Sequence, residues 1–368
     1  MPKLKQMTDV HVIVSIHQLA LSGKTPLVAL MTKNTDATTK STVYNSLADL
    51  SADYAEDTTV YDQAAAMFEA ENFTGPVEVI AYPNADVSDP TNVKADGASS
   101  GGTVTASTTP GIVSGLSAHI YDGFIYLLLD GASETEIEAV SDFVYDNQRV
   151  MLITQPASVK DLQTLHTHVA GYQTAKNSLC NTAAVVVTTP DNYRAAQAAA
   201  YAAANLPVDW QHIGNQSTFA PDTDLTMTDF DDIAAAGGTT VVNKAGDFML
   251  LNGKSMGSNY IDQFVHTQLV VDRLQTSLQK YLNRHKFVSY DDAHIKEMTQ
   301  TLQTTGDNLA AMGVIFSMSD GQSIDVTSIS RANTPNEDVI NRSYNGFSIA
   351  AQIADDIDTV NMKLDITL

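Results

Sequence analysis

Between residues 124 and 205 the chain alternates short, continuously apolar runs with helical segments, and this alternation narrows the available folds more than any other feature. "FIYLLLDG" (124–131), "RVMLITQP" (149–156) and "AAVVVTT" (183–189) are too short for helices and too uniformly apolar for one-sided strands. "SETEIEAVSDFVYDNQ" between them opens with Ser133-x-x-Glu136, a capping box in which each residue satisfies a free amide of the other. "SVKDLQTLHTHVAGYQ" has Ser158 as its N-cap, and "PDNYRAAQAAAYAAAN" carries Pro190 in its first turn. Strands buried on both faces and separated by helices predict an α/β layer with much parallel sheet.

Upstream, "TPLVALMTKN" and "PVEVIAYP" read as further buried strands, and "STVYNSLADLSADY" (41–54) and "VYDQAAAMFEAEN" (60–72) as helices. Residues 84–117, rich in Asp, Asn, Gly, Ser, Thr and Pro, read as an exposed insertion without a core. The character changes near Gly237. "GGTTVVNKAGDFMLLNGK" reads as a hairpin turning at 244–246, and "IDQFVHTQLVVDRLQTSLQKYLNRH" and "YDDAHIKEMTQTLQTTGDNLAAMG" as long helices before an extended, turn-rich stretch. These shifts predict an α/β domain over 21–236 and an α+β domain over 237–355.

Strand patterns also stand at both ends. Val10, Val12, Val14 and Ile16 alternate with His11, Ile13 and Ser15, and Val360, Met362, Leu364, Ile366 and Leu368 alternate with polar residues. The two segments define extended arms, 1–20 and 356–368, which either pair with each other or complete the sheet of another chain. Each main-chain bond in such a pairing contributes about 0.5 to 1.5 kcal/mol net, and each fully buried apolar side chain about 1.5 to 3 kcal/mol.

Of 368 residues, 43 are acidic and 20 basic, a net charge of -23, which leaves too few cations for a nucleic-acid surface. No apolar run approaches membrane-spanning length, the first residues lack the features of a secretion signal, and Cys180 is the single cysteine; expression and folding in a cytoplasm, without disulfides or a membrane, are expected. "LSGKTP" (21–26) lacks the glycine of a phosphate loop at Gln18, and its proline interrupts the helix such a loop needs. Asp222 and Asp224 resemble the start of a calcium loop, but Met227 and Ile233 stand where it needs glycine and glutamate, so a solvated acidic loop is expected. His166 and His168 diverge on their helix and read as surface residues. No cofactor, metal site or catalytic motif is predicted. The competing reading is a soluble α/β enzyme, hydrolase-like, whose site is assembled only in space.

One charged pattern stands out. Arg273, Lys280 and Arg284 fall within about 40° of one another on a helix, opposite an apolar face of Val271, Leu274, Leu278, Tyr281 and Leu282. With His285 and Lys286 they form the one dense basic cluster of an acidic chain. It reads either as a solvated face or as a contact for an acidic partner, each exposed pair contributing about 0 to 1 kcal/mol.

The region from "DDIAAAGGTTVVNKAGDFMLLNGK" through "SMGSNYIDQFVHTQLVVDRLQTSLQKYLNRH" resembles the tail sheath proteins of contractile phage tails. The resemblance rests on a glycine-led strand pair, a Gly-x-x-Tyr-Ile entry (Gly257 to Ile261) to a long helix, and a second helix ending near a glycine. The Ala-x-x-x-Phe step from Ala64 to Phe68 is similar to the family's early helix. Membership would imply a non-enzymatic virion subunit in stacked six-fold rings around an inner tail tube, bounded by baseplate and tail terminator. The N-terminal arm would pack with the C-terminal domain, the α/β domain would face outward, and the arms would link neighbours by strand exchange while the sheath contracts. Arg273, Lys280 and Arg284 become candidates for the tube contact.

Overall fold

The computed structural model describes residues 26–34, 38–84, 87–89, 107–172, 179–189, 192–214, 219–317 and 323–354. Both predicted arms, Val10–Ile16 and Val360–Leu368, lie outside these residues, as do most of "LSGKTP" and Pro190. The chain divides into two units, up to Gln268 and from Leu269 onward.

The first unit is organised by β1 (Val28–Asn34), whose first five residues are all buried. It pairs in parallel on both sides, with β3 (Val77–Pro83) in the register Val28↔Val77 and with β6 (Tyr126–Leu129) in the register Val28↔Tyr126. The sheet continues through β7 (Met151–Thr154) and β8 (Thr182–Ala184), also parallel, and is edged by antiparallel β2 (Lys40–Tyr44), in the order β2-β3-β1-β6-β7-β8. Alternate residues serve opposite faces. Val28, Leu30, Val77, Val79 and Met151 pack with helices α2 (Thr59–Phe68) and α6 (Arg194–Ala204). Ala29, Met31, Ile80, Tyr82 and Leu152 pack with α3 (Gly111–His119) and α4 (Glu134–Asn147). A third cluster joins α5 (Val159–Val169) and α7 (Met227–Ala235) to Ala184, Val186 and Met256. This is the predicted α/β layer, now with its strand order.

Local chemistry explains most of the element ends. Ser133 and Glu136 form the expected capping box of α4, and Ser158 accepts from the Asp161 amide at the start of α5. Three expectations are corrected. Residues 41–54 are not one helix: β-branched Thr42 and Val43 pair with β3, and only α1 (Leu47–Leu50), capped by Ser46, is helical. Residues 84–117 are not coreless, because β4 (Val87–Asp89) and β5 (Ser107–Thr109) form a ribbon and α3 then buries Ile112 and Leu116. The acidic segment at 222–232 is not a solvated loop: Thr226 and Asp229 form a capping box for α7, and Asp222 is buried.

Asp222 holds its segment to the start of α6. Its carboxylate accepts from Arg194 Nη1 at 2.7 Å, Thr189 Oγ1 at 2.6 Å and the Thr188 amide at 2.8 Å. All α6 residues except Tyr201 and Ala204 are buried, Arg194 included, so its guanidinium needs the Asp222 carboxylate to balance its charge.

The hairpin β9 (Val241–Lys244) and β10 (Asp247–Leu250), assigned from sequence to the second domain, belongs to the first unit. Thr239 bridges in parallel to Val185, Met249 bridges to Gly214, and Val241 and Leu250 join the first unit's core. Gly237 makes the approach possible: its φ is +66°, and a Cβ there would lie 2.7 Å from Met256 Cα. The division falls instead within α8 (Ile261–Arg284). Asn259 fixes the start of α8, its amide accepting from the Cys180 N–H and donating to the Cys180 carbonyl.

The second unit holds the rest of α8, α9 (Asp292–Ala311), β11 (Asp325–Ser328), α10 (Asn336–Ile340) and β12 (Phe347–Ala350). Asp291 caps α9 through the His294 amide, whose hydrogen bond holds the carboxyl down at about 2. Tyr281 donates to Glu297 at 2.7 Å, linking α8 to α9.

Burial alone would push the Asp222 carboxyl up, but the bonds from Thr189, the Thr188 amide and Arg194 outweigh it and hold it below the ordinary aspartate value. An aspartate lowered on folding stabilises the fold above its unfolded value of about 3.9 and loses that contribution as pH falls through the folded value. Asp222→Ala is expected to cost roughly 3 to 5 kcal/mol in urea unfolding near neutral pH, with a shallower loss of stability on acidification than the parent.

Candidate functional site

The most distinctive surface of the second unit is a sheet of two strands. β11 and β12 are antiparallel, with Val326 opposite Ile349 and Ser328 opposite Phe347. Ile324, Val326, Phe347 and Ile349 face one way and are buried or half-buried, while Asp325, Thr327, Ser348 and Ala350 face solvent. The buried face rests on α9, where a Cβ at Gly306 would lie 2.5 Å from the Ile324 side chain and Ser323 donates to Asp307 at 2.6 Å. Beyond β12 the chain pairs with the segment that follows α9: Ile353 bridges to Ile315, and the Phe316 amide donates to the Gln352 carbonyl at 2.8 Å.

Neither outer edge of the β11–β12 ribbon pairs with another strand among the described residues. Two-stranded ribbons are marginal alone, and open edges are templates for added strands. The surrounding apolar residues tell the same story. Phe287, Phe316 and Ile340 are 79%, 55% and 80% exposed, and Met312 and Ile329 are also exposed. Tyr290, Tyr344 and Phe347 stack edge to face beside the ribbon, with the Arg331 guanidinium 5.6 Å from the Tyr290 ring. The sequence marked this stretch only as extended. Its strands were missed because each is four residues long and neither is strongly apolar.

Arg273, Lys280 and Arg284 are all exposed, together with Lys286. Val271, Leu274 and Tyr281 are buried and Leu278 and Leu282 half-buried, so α8 has the predicted two faces. None of the three basic residues forms an ion pair with a described residue. His285 is tied back, its ring 4.3 Å from that of Tyr281 and its Nδ1 2.8 Å from the Tyr281 carbonyl.

In the first unit, an open doubly wound sheet places ligands at the strand ends where its order reverses, here between β1 and β6. That position is filled by side chains: Thr32 donates to Asp130 at 2.8 Å and Gln63 donates to it at 3.1 Å, all three buried. Cys180 is buried, and burial raises its thiol. His168 lies 2.9 Å from Asp142 and 3.6 Å from Glu138 across the α4–α5 surface. No helix among the described residues is long and apolar enough to cross a membrane.

No family model matches the sequence, and no curated protein aligns with it. The fold, however, has solved counterparts over nearly its full length. A chain of the six-fold symmetrised baseplate of the anti-feeding prophage superposes with a TM-score of 0.64 at 11% identity, covering 98% of this chain and 99% of that one. A chain from the PVC sheath complex, an extracellular contractile injection system in its contracted state, gives 0.64 at 10% identity, covering 98% and 97%. The chain has a contractile-tail sheath fold. A chain of the anti-feeding prophage baseplate in its contracted state superposes with a TM-score of 0.59 at 10% identity, covering 98% of this chain and 96% of that one.

Two outcomes test this surface. Gly306→Ala drives a methyl into Ile324 and is expected to cost about 1 to 3 kcal/mol by overpacking, despite the better helix propensity of alanine. Glutamate substitution of Arg273, Lys280 or Arg284 removes no ion pair to a described residue and is expected to change unfolding free energy by about 0.5 kcal/mol or less. Both are read from denaturant unfolding curves.

Proposed function

We propose that the chain is the structural subunit of a contractile sheath, which polymerises around an inner tail tube and drives it through a cell envelope by contracting. The observation that carries this reading is the fold shared, over nearly the whole chain, with a protein of a contractile sheath complex. The open ribbon supports it, since a subunit built to accept strands from other copies needs unpaired edges. The terminal arms at 1–20 and 356–368 supply those strands: Val10, Val12, Val14 and Ile16 from one end, and Val360, Met362, Leu364, Ile366 and Leu368 from the other. In this reading the α/β domain faces outward, the later residues form the inner layer, and stacked six-fold rings result. Baseplate and tail terminator bound the polymer, and the virion is its location.

The basic stripe is the proposed contact to the tube. Exposed charge pairs are individually weak, at about 0 to 1 kcal/mol, but the same three residues recur in every copy along the polymer. A contact of that strength, repeated and dispersed, holds the resting sheath while letting it slide when triggered. The chemistry is mechanical and needs no cofactor.

Negative-stain microscopy of the purified full-length chain is expected to reveal tubes or rods. Removal of residues 358–368 is expected to leave a folded monomer, by circular dichroism, that no longer polymerises. Normal tubes from the truncated chain would sink the arm assignment, and a compact low-order oligomer from the full chain would sink the sheath reading.

A further inference from the structure

Strand β3, "VEVIAYP", contains one charged residue in an otherwise apolar run. Glu78 is fully buried, opposite Ala29 of β1 and Val43 of β2. Strand alternation sends its side chain to the same face as Ile80 and Tyr82, the face covered by α3. A carboxylate in such a place is costly unless something nearby compensates it. The Ser41 hydroxyl donates to Glu78 Oε1, and His119 and Asp122 also bring polar atoms close to the carboxylate. His119 is the last residue of α3, and Asp122 follows in the turn toward β6 with its Oδ2 2.9 Å from His119 Nδ1. One donor atom from each of Glu78, His119 and Asp122 lies within 4.8 Å of the other two.

We propose that Glu78, His119 and Asp122 bind a divalent transition-metal cation, zinc or manganese, as a clip between β3 and the end of α3. Three features converge on a cation. Two carboxylates and an imidazole, from a strand, a helix end and a turn, each bring a donor atom within 4.8 Å of the other two, a ligand set of the kind divalent ions take. The site lies at the C-terminal end of a nine-residue helix, where backbone carbonyls add negative potential. The 2.9 Å between the His119 and Asp122 donors matches the roughly 3 Å separating adjacent ligands of an octahedral shell about 2.1 Å from a metal, the geometry of manganese, and is closer than the roughly 3.4 Å of a tetrahedral zinc shell. Two carboxylates and an imidazole, without thiolate, suit zinc or manganese better than a soft ion such as copper(I). The side chains of His119 and Asp122 are 19% and 17% exposed, so water can complete the coordination and the ion has a way in. The Ser41 bond would orient Glu78, as second-shell groups orient metal ligands elsewhere.

The site belongs to the first unit and is tested on the full-length chain without reference to the proposed assembly surfaces. After treatment with a chelator and its removal, titration with zinc and with manganese is followed by calorimetry and thermal melting. Binding of one equivalent of at least one of these ions, with a raised melting temperature that chelator reverses, is expected. His119→Ala and Asp122→Asn, both at partly exposed positions, are expected to stay folded and to weaken binding by about tenfold or more. Absence of heat and of any melting shift with both ions would overturn the proposal, as would binding that persists unchanged in both folded variants. His119 and Asp122 would then be a hydrogen-bonded pair beside a buried carboxylate. Should Asp122→Asn fail to fold, His119→Gln replaces it, and unchanged affinity there counts equally against the site.

Discussion

Main-chain pairing between strands is the requirement on which the rest of this molecule depends. Every residue except proline brings one donor and one acceptor that must find partners. In the first unit β1, β3, β6 and β7 are each paired on two sides, and the chain at Thr239 continues the sheet past β8. In the second unit β11 and β12 pair only with each other among the described residues. One unit therefore closes most of its hydrogen-bonding account internally, while the other presents backbone groups that a further strand would match.

Side-chain burial follows the same division. The first unit sets apolar residues on both faces of its sheet under two sets of helices. The second keeps several large apolar side chains in solvent, Phe287 and Ile340 most of all. For a chain of net charge -23, joining copies through charged surfaces would work against self-repulsion. Strand pairing avoids that conflict, because amide and carbonyl groups carry no net charge and their bonds are insensitive to the sign of the surface around them.

Much of the first unit was legible because its signals are local. Continuous apolar runs announced β1, β3, β6 and β7, and Ser133, Glu136 and Ser158 announced where α4 and α5 begin. Strand order was not legible, since Val28 pairs with residues 49 and 98 positions away and nothing local encodes that choice. β2 was misread as helix because its five residues are decided by pairing with β3 and not by their own pattern. The hairpin at 241–250 was recognised as a hairpin but assigned to the wrong side of the division, since Gly237 and Thr239, which join it to the first unit, act through contacts remote in sequence. Of the candidate assembly surface, the basic stripe was legible through helical periodicity. The ribbon was not, its alternation spanning only four residues a strand.

Helix α6 carries a consequence beyond its own packing. It is nearly all alanine, and its methyl groups lie against the same face as Val28, Leu30 and Met151. Such a surface is almost smooth, so it fixes the spacing between helix and sheet without demanding a particular neighbour in any one notch. Residues across it are free to exchange among apolar types of similar bulk while the layer keeps its thickness. A fold built on spacing of this kind can retain its outline long after the letters that wrote it have changed.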